Sequence, residues 1–287
     1  MLNLTRLFAP TILCALISVP ASAATYYVSQ SAGSDTNNGL TKVMSFKTLA
    51  KAGTLKNLKG GDAILLKRGD VWHEEFVIPG SGTSTNSRLV IGTYGSGAYP
   101  IIDGADVVTG WSLISAGTYQ VSRTSASYKV FVDAMYTPTV PLKVEASLSE
   151  TIQTPGSSYS DADTLYIHLA DGSNPAKHKI EVSGSLHPTG IVASNKSYVT
   201  VENLAIIRTT NSGVAFLLDS ANPSGTGPNQ NNSLTNLIIF NTGSTAAMPY
   251  GFDGGIVVRA NASNGFVAVQ AGRLAAIGLA GWTRLLA

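Results

Sequence analysis

Residues 26–79, YYVSQSAGSDTNNGLTKVMSFKTLAKAGTLKNLKGGDAILLKRGDVWHEEFVIP, decide how the chain folds. Residues 26–29 form a β-rich run, and 33–39 form a Gly/Asp/Asn turn. In Ser45-Phe46-Lys47-Thr48-Leu49-Ala50-Lys51-Ala52, the residues Phe46, Leu49 and Ala50 fall on one helical face. Ser45 stands as N-cap and Gly53 as C-terminal stop. Past Gly60-Gly61-Asp62 comes an apolar strand at 63–66, and past Gly69-Asp70 another. One helix, then many short strands and no further helix, predicts an all-β chain. The expected architecture is a right-handed parallel β-helix, a solenoid with the N-terminal helix plugging its open end.

Working outward, strands are expected at 63–67, 75–78, 88–92, 100–103, 119–121, 129–132, 164–169 and 179–182. Further ones are expected at 198–201, 204–207, 214–218, 234–240 and 255–259. Gly, Pro, Asn or Asp separates most of them. A sandwich also fits short strands with polar breaks. The solenoid is favoured by repetition: Asn203-Leu204 and Asn236-Leu237 each follow one short strand and lead into another. Gly213-Val214 and Gly255-Ile256 likewise open strands after turns. A spacing of a few tens of residues suits coils that bury their apolar faces on one another.

The middle of the chain reads differently. Between Tyr119 and Gly184, an alternating strand at 161–169 and the turn Asp171-Gly172-Ser173-Asn174-Pro175 predict an antiparallel insertion. Residues 222–232 are expected to form a second projecting loop. Residues 266–287 are Ala/Leu/Gly-rich and break the pattern. They are expected to be a truncated or frame-shifted continuation, which leaves the β-helix domain at 24–265 incomplete at its C-terminal end.

Residues 1–23 have the pattern of a signal peptide. Arg6 precedes an apolar run, and Ala21-Ser22-Ala23 is a small-residue cleavage site. A secreted or periplasmic protein is expected, with no membrane association after cleavage. The single cysteine, Cys14, lies in this leader, so a disulfide framework is excluded. Charged residues make up 13% of the chain with no basic block, which argues against nucleic acid as partner. A monomer is expected.

Tyr26-Tyr27-Val28-Ser29, the turn at 33–39, Ser45-Phe46-Lys47-Thr48-Leu49 and residues 61–70 resemble the opening of secreted bacterial right-handed parallel β-helix proteins. These belong to the pectate-lyase-like superfamily of polysaccharide lyases and their relatives. Leu165-Tyr166-Ile167-His168 and residues 171–175 are similar to an insertion common among its members. The resemblance implies a polysaccharide substrate and, as leading activity, β-elimination from an acidic glycan. In such enzymes the catalytic residues usually sit on central coils.

A uronate lyase must neutralise the sugar carboxylate, with Ca²⁺ or an arginine, and then remove a proton with a base. A glycosidase needs two carboxylates across the scissile bond. The coil residues with suitable chemistry are Asp219, Asp253, Arg208 and Arg259. Either aspartate suits Ca²⁺ or carboxylate catalysis, and equally a turn that bonds its own backbone. Either arginine suits a carboxylate clamp, and equally a solvated surface. His73-Glu74-Glu75 is an acid/base cluster at the border of a strand. His168 and His187 have no metal-ligand spacing. Two further classes stay open: an adhesive, non-catalytic glycan-binding solenoid, and an inactive fragment of a longer enzyme.

Overall fold

The structure is a computed structural model that describes residues 23–123, 127–217, 229–243, 254–258 and 267–270. Among these residues the chain is nearly all β, and most strands lie in three parallel sheets. The first sheet runs Thr25–Val28, Ala63–Lys67, Leu89–Tyr94, Val199–Glu202, Asn232–Thr235 and Val267–Gln270. The second runs Val71–Trp72, Ile101–Asp103, Ala205–Ile207 and Ile238–Phe240. The third runs Phe76–Val77, Thr189–Ser194, Ser212–Leu217 and Gly254–Val258.

The chain visits these sheets in a fixed rotation. Ala63–Lys67 is followed by a strand of the second sheet, then one of the third, then Leu89–Tyr94 back in the first. The last full turn repeats the register 33 residues on, with Val201 beside Leu234, Ala205 beside Ile238 and Asn236 bonded to Asn203. The Asn-Leu echo in the sequence is therefore a stacking repeat.

Inward side chains of all three sheets meet in one apolar core. Leu66, Ile91 and Val201 come from the first sheet, Trp72 and Ile206 from the second, Phe76, Ile191 and Phe216 from the third. In the first sheet burial alternates along Ala63–Lys67 and Val199–Glu202, as strands covered on one face require. The corners require a left-handed turn of the backbone. Asn203 (φ 60°) and Asn236 (φ 51°) provide it, since asparagine tolerates that region better than most side chains. Asn236 Nδ2 donates to Asn203 Oδ1 at 3.2 Å, so the two equivalent corners are joined directly.

The helix near the start differs in detail from expectation. It spans Leu49–Gly53, and Thr48 is its N-cap, accepting the Lys51 N–H at 3.0 Å. Ser45 is buried beside Phe46, which forms a bridge with Val28. The buried face is Leu49 and Ala52, while Ala50 is exposed. The expectation of no further helix is also corrected. Leu148–Gln153 is helical, with Ser147 accepting the Glu150 N–H and Glu150 reaching back to the Ala146 N–H. That is a variant of the capping box, readable in Ser147-Leu148-Ser149-Glu150.

The expected antiparallel insertion begins earlier than Tyr119, directly after Asp103. Ala105–Val107, Ile180–Gly184 and Ser127–Val132 form a three-stranded antiparallel sheet. Ser112–Ser115, Thr118–Ser122, Thr164–His168, Ser157–Ser160 and Lys143–Val144 form a second, largely antiparallel one. The insertion has its own core of Val130, Leu165, Ile167, Leu169, Ile180 and Val182. Phe76–Val77 and Thr189–Ser194 pair directly, so the insertion loops out between the second and third sheets without breaking the stack. Of the atypical C-terminal stretch, Val267–Gln270 extends the first sheet beside Asn232–Thr235; its other residues lie outside those described.

The corner geometry gives a direct test. Asn236→Ala should cost about 1–2 kcal/mol in urea unfolding, because alanine resists the left-handed region. Asn236→Gly should cost less. Equal losses for the two variants would contradict the corner assignment.

Candidate functional site

The insertion leaves the parallel stack at one corner, and there the chain gathers its charged groups. Asp103 ends the strand Ile101–Asp103, and Arg208 follows the adjacent strand Ala205–Ile207, whose Ile207 is the register partner of Asp103. Glu181 lies on Ile180–Gly184, the strand by which the chain returns from the insertion. Arg208 Nε donates to Asp103 Oδ1 at 3.0 Å, and Nη2 also reaches Asp103 Oδ2. Nη1 and Nη2 donate to Glu181 at 2.7 and 2.8 Å. All three side chains are buried, Arg208 at 2% exposure. Phe131 and Tyr136 lie over the guanidinium, ring centroids 5.4 and 5.9 Å away.

Burial alone would push Glu181 up, but Arg208 and Lys179 outweigh it and hold the carboxyl below its usual range. Lys179 Nζ sits 2.8 Å from Glu181 Oε1. Arg208 is correspondingly raised above the ordinary arginine range despite its burial. Its backbone is left-handed (φ 57°), and its carbonyl accepts the Ser183 hydroxyl at 2.5 Å. Nearby, the buried Lys129 ammonium donates to the carbonyls of Thr209, Asn241 and Gly243. This second cation also ties the insertion to the coil corners.

Around this buried joint lies a half-exposed ring of acid/base groups. His73 Nδ1 faces the Ala105 carbonyl, which can only accept, so Nδ1 carries the proton. His187 Nε2 lies 3.4 Å from Asp106 Oδ1, and Arg123 Nη2 lies 3.6 Å from Asp106 Oδ2. The contact with Asp106 raises His187, burial opposing it. Burial would raise Asp106, but His187 and Arg123 outweigh it and the net direction is down. Glu75 moves the other way: burial raises it, against the backbone bond at Thr189 and the charge of His187. Glu74 is also raised by burial, and it caps the helix by accepting the Ala50 N–H at 3.0 Å. Asp106 Oδ2 and Arg123 Nε are buried and make no hydrogen bond among the described residues. Native structures keep few such atoms.

Two carboxyls near His187 have environments that drive them apart, Glu75 upward and Asp106 downward. That is the electrostatic pattern of a proton donor beside an ionised partner. His73, Asp103 and Glu181 each present one potential metal-ligand atom within a 4.8 Å cluster. Arg208 already occupies both carboxylates of that cluster, and an imidazole is a poor partner for a cation that takes 6–8 oxygens. These residues do not fit Ca²⁺.

Of the four coil residues with suitable chemistry, Asp219, Asp253, Arg208 and Arg259, only Arg208 falls among the described residues. It is neither a solvated arginine nor free to clamp a substrate, because its donors are taken by Asp103 and Glu181. Asp219, Asp253 and Arg259 lie outside the described residues, as does most of the loop at 222–232. The His73-Glu74-Glu75 cluster does not act as a unit: His73 turns to the insertion, Glu75 to the Thr189 backbone and Glu74 to the helix. His168 is buried within the insertion beside the Thr151 carbonyl. Asp106, Arg123 and Glu181 escaped the sequence reading, and His187 was weighed there only as a metal ligand, since these groups meet His73 and Glu75 only once the insertion folds back.

No family model and no curated protein matches the sequence. Among solved structures, the chain is similar to XylC in its complex with xylose, at 14% identity and a TM-score of 0.59. The match covers 76% of this chain and 40% of that one. A lacto-N-biosidase of glycoside hydrolase family 136 from Eubacterium ramulus matches at 20% identity and a TM-score of 0.47, over 86% and 33% of the two chains. A rhamnogalacturonan lyase matches at 13% identity and a TM-score of 0.37, over 77% and 36%. The structural neighbours are thus carbohydrate-active enzymes, and the chain spans 40% of the length of XylC. The XylC likeness is one of fold.

Glu181 makes the joint sensitive to acid. Its folded value lies below the ordinary 4.5, so its stabilisation is complete above that pH and is lost as pH falls through the folded value. Glu181→Gln should cost about 3–5 kcal/mol in urea unfolding near neutral pH, because it breaks a buried pair. The gap between variant and wild type should narrow steadily below that pH. A gap that stays constant on acidification would refute the assignment.

Proposed function

We propose that the chain is an exported carbohydrate-active protein whose three parallel sheets wind as a right-handed β-helix, and that it cleaves a polysaccharide. The observation that carries this reading is the repeated passage of the chain through the same three parallel sheets, and the fold likeness to XylC supports it. Fold alone does not define a reaction, so two sets of side chains are weighed: the coil candidates of the sequence and the half-exposed groups at the corner of the insertion.

The leading reaction is β-elimination from an acidic glycan by a monomer that uses Ca²⁺. In that reading Asp219 and Asp253 bind the cation, Arg259 meets the sugar carboxylate, and Arg208 holds the coil corner. A second reading, glycoside hydrolysis, is favoured by the opposed environments of Glu75 and Asp106. There Glu75 donates a proton to the leaving oxygen, while ionised Asp106, oriented by His187 and Arg123, stabilises the developing positive charge.

Pectate, alginate, glycosaminoglycans and xylan, each with and without Ca²⁺, separate these readings. Unsaturated-product absorbance identifies the lyase, and new reducing ends without absorbance identify the hydrolase. Neither signal on any glycan would overturn the cleavage proposal and leave adhesive binding. If hydrolysis is seen, its rate should fall as pH rises through the elevated Glu75 ionisation, because the donor must be protonated. Glu75→Gln should then lower the rate by about 100-fold and abolish that limb. An unchanged pH profile in the variant would remove Glu75 from the mechanism.

A further inference from the structure

A separate constellation lies on the insertion. Ser173 Oγ is 2.8 Å from His178 Nε2, and His178 Nδ1 is 2.6 Å from Asp133 Oδ2. None of the three takes part in the charged corner described above.

Backbone bonds hold each member in place. Asp133 Oδ1 accepts the Lys179 N–H at 2.8 Å, and the Asp133 N–H donates to the Lys179 carbonyl at 2.9 Å. The carboxylate is thereby fixed from a left-handed residue (φ 48°), a conformation tolerated by aspartate and concentrated at functional positions. The other two members flank a single 3₁₀ turn, Pro175–Lys177, whose Pro175 is buried. Asn174 Oδ1 caps that turn by accepting the Ala176 N–H at 2.9 Å. The His178 N–H closes it on the Pro175 carbonyl at 3.0 Å, and the Ser173 N–H is bound by Asp171 Oδ1 at 3.0 Å. The spacing of serine and histidine is therefore set by the main chain.

The carboxylate of Asp133 accepts only, so His178 Nδ1 carries a proton and the neutral ring presents Nε2 as a base toward the serine. Nucleophile, base and orienting group then stand in the order that acyl transfer requires. The Asn174 N–H, directly after the serine, makes no hydrogen bond among the described residues. It is a donor for charge developing on a carbonyl oxygen. Asp133 is 57% exposed and His178 24%, which admits a group carried on a large molecule.

We propose that Ser173, His178 and Asp133 form an acyl-ester hydrolase site, with a small acyl group esterified to a large polyol as substrate. Ser173 Oγ attacks the acyl carbon while its proton passes to His178 Nε2, and the carbonyl electron pair moves onto oxygen. Collapse restores the carbonyl and breaks the bond to the alcohol oxygen, which leaves with the proton from His178. Water then attacks the acyl-serine by the same route, releasing the carboxylic acid and restoring the serine. Asp133 is a positioning residue. Asp171 is held below its usual range by the amide and hydroxyl of Ser173, which makes it the alternative base that the test must exclude.

The test uses the whole chain with p-nitrophenyl acetate and with a fluorophosphonate that labels activated serines, followed by peptide mapping. Label on Ser173 is expected, and Ser173→Ala and His178→Ala should each lower ester turnover by about 100-fold or more. Asp133→Asn should reduce kcat with KM kept, and Asp171→Asn should label at least as fast as wild type. Absence of label on Ser173, or an unchanged labelling rate in His178→Ala, would overturn the proposal. So would loss of label in Asp171→Asn with His178→Ala unaffected, because Asp171 would then be the base. These outcomes do not depend on glycan cleavage.

Discussion

One buried guanidinium joins the two halves of this molecule. Asp103 is where the chain leaves the parallel stack, Glu181 is on the strand that returns, and Arg208 is one coil further along. Arg208 bonds both carboxylates through paired donors, so departure, return and the next coil meet at one side chain. Burying three charges costs several kcal/mol for each ion, and only well-aligned hydrogen bonds offset that. Lys179 supplies a fourth charge at the exposed edge and brings the group close to neutrality. Without such a tie, an insertion with a core of its own would be free to move against the stack.

The same corner separates sealed charge from half-exposed charge. Asp103, Glu181 and Arg208 are sealed and mutually satisfied. Glu75, Asp106, Arg123 and His187 are half-buried, less completely bonded, and displaced from their ordinary ionisation. Displaced ionisation in a partly open polar cluster is characteristic of sites that move protons. The joint beneath helps place two of those groups, since Asp106 follows Asp103 by three residues and His187 follows Glu181 by six.

Much of the fold was legible because short parallel strands with polar breaks leave local marks in the sequence. The Asn-Leu pairs at 203–204 and 236–237 mark equivalent corners, and the apolar runs at 63–67 and 205–207 mark buried strands. The insertion was visible through the alternation at 164–169, but its start at Ala105 was not, because Ala105–Val107 is too short to show a period. The helix boundary shifted to Thr48 because Phe46 is drawn into the sheet beside Val28. The site was far less legible. Arg208 reads as a strand-end arginine until Asp103 and Glu181, far from it in sequence, converge on it. The Ser173–His178 spacing looked like an ordinary turn, since Asp133 is 45 residues from His178.

A double-mutant cycle on Arg208 and Glu181 tests the joint most directly. The chain would be unfolded in urea as wild type, Arg208→Met, Glu181→Met and the double variant. The account predicts a coupling energy of about 2 kcal/mol or more, with the double variant more stable than the sum of the single losses implies. Losses that simply add would mean the guanidinium does not hold the insertion to the stack.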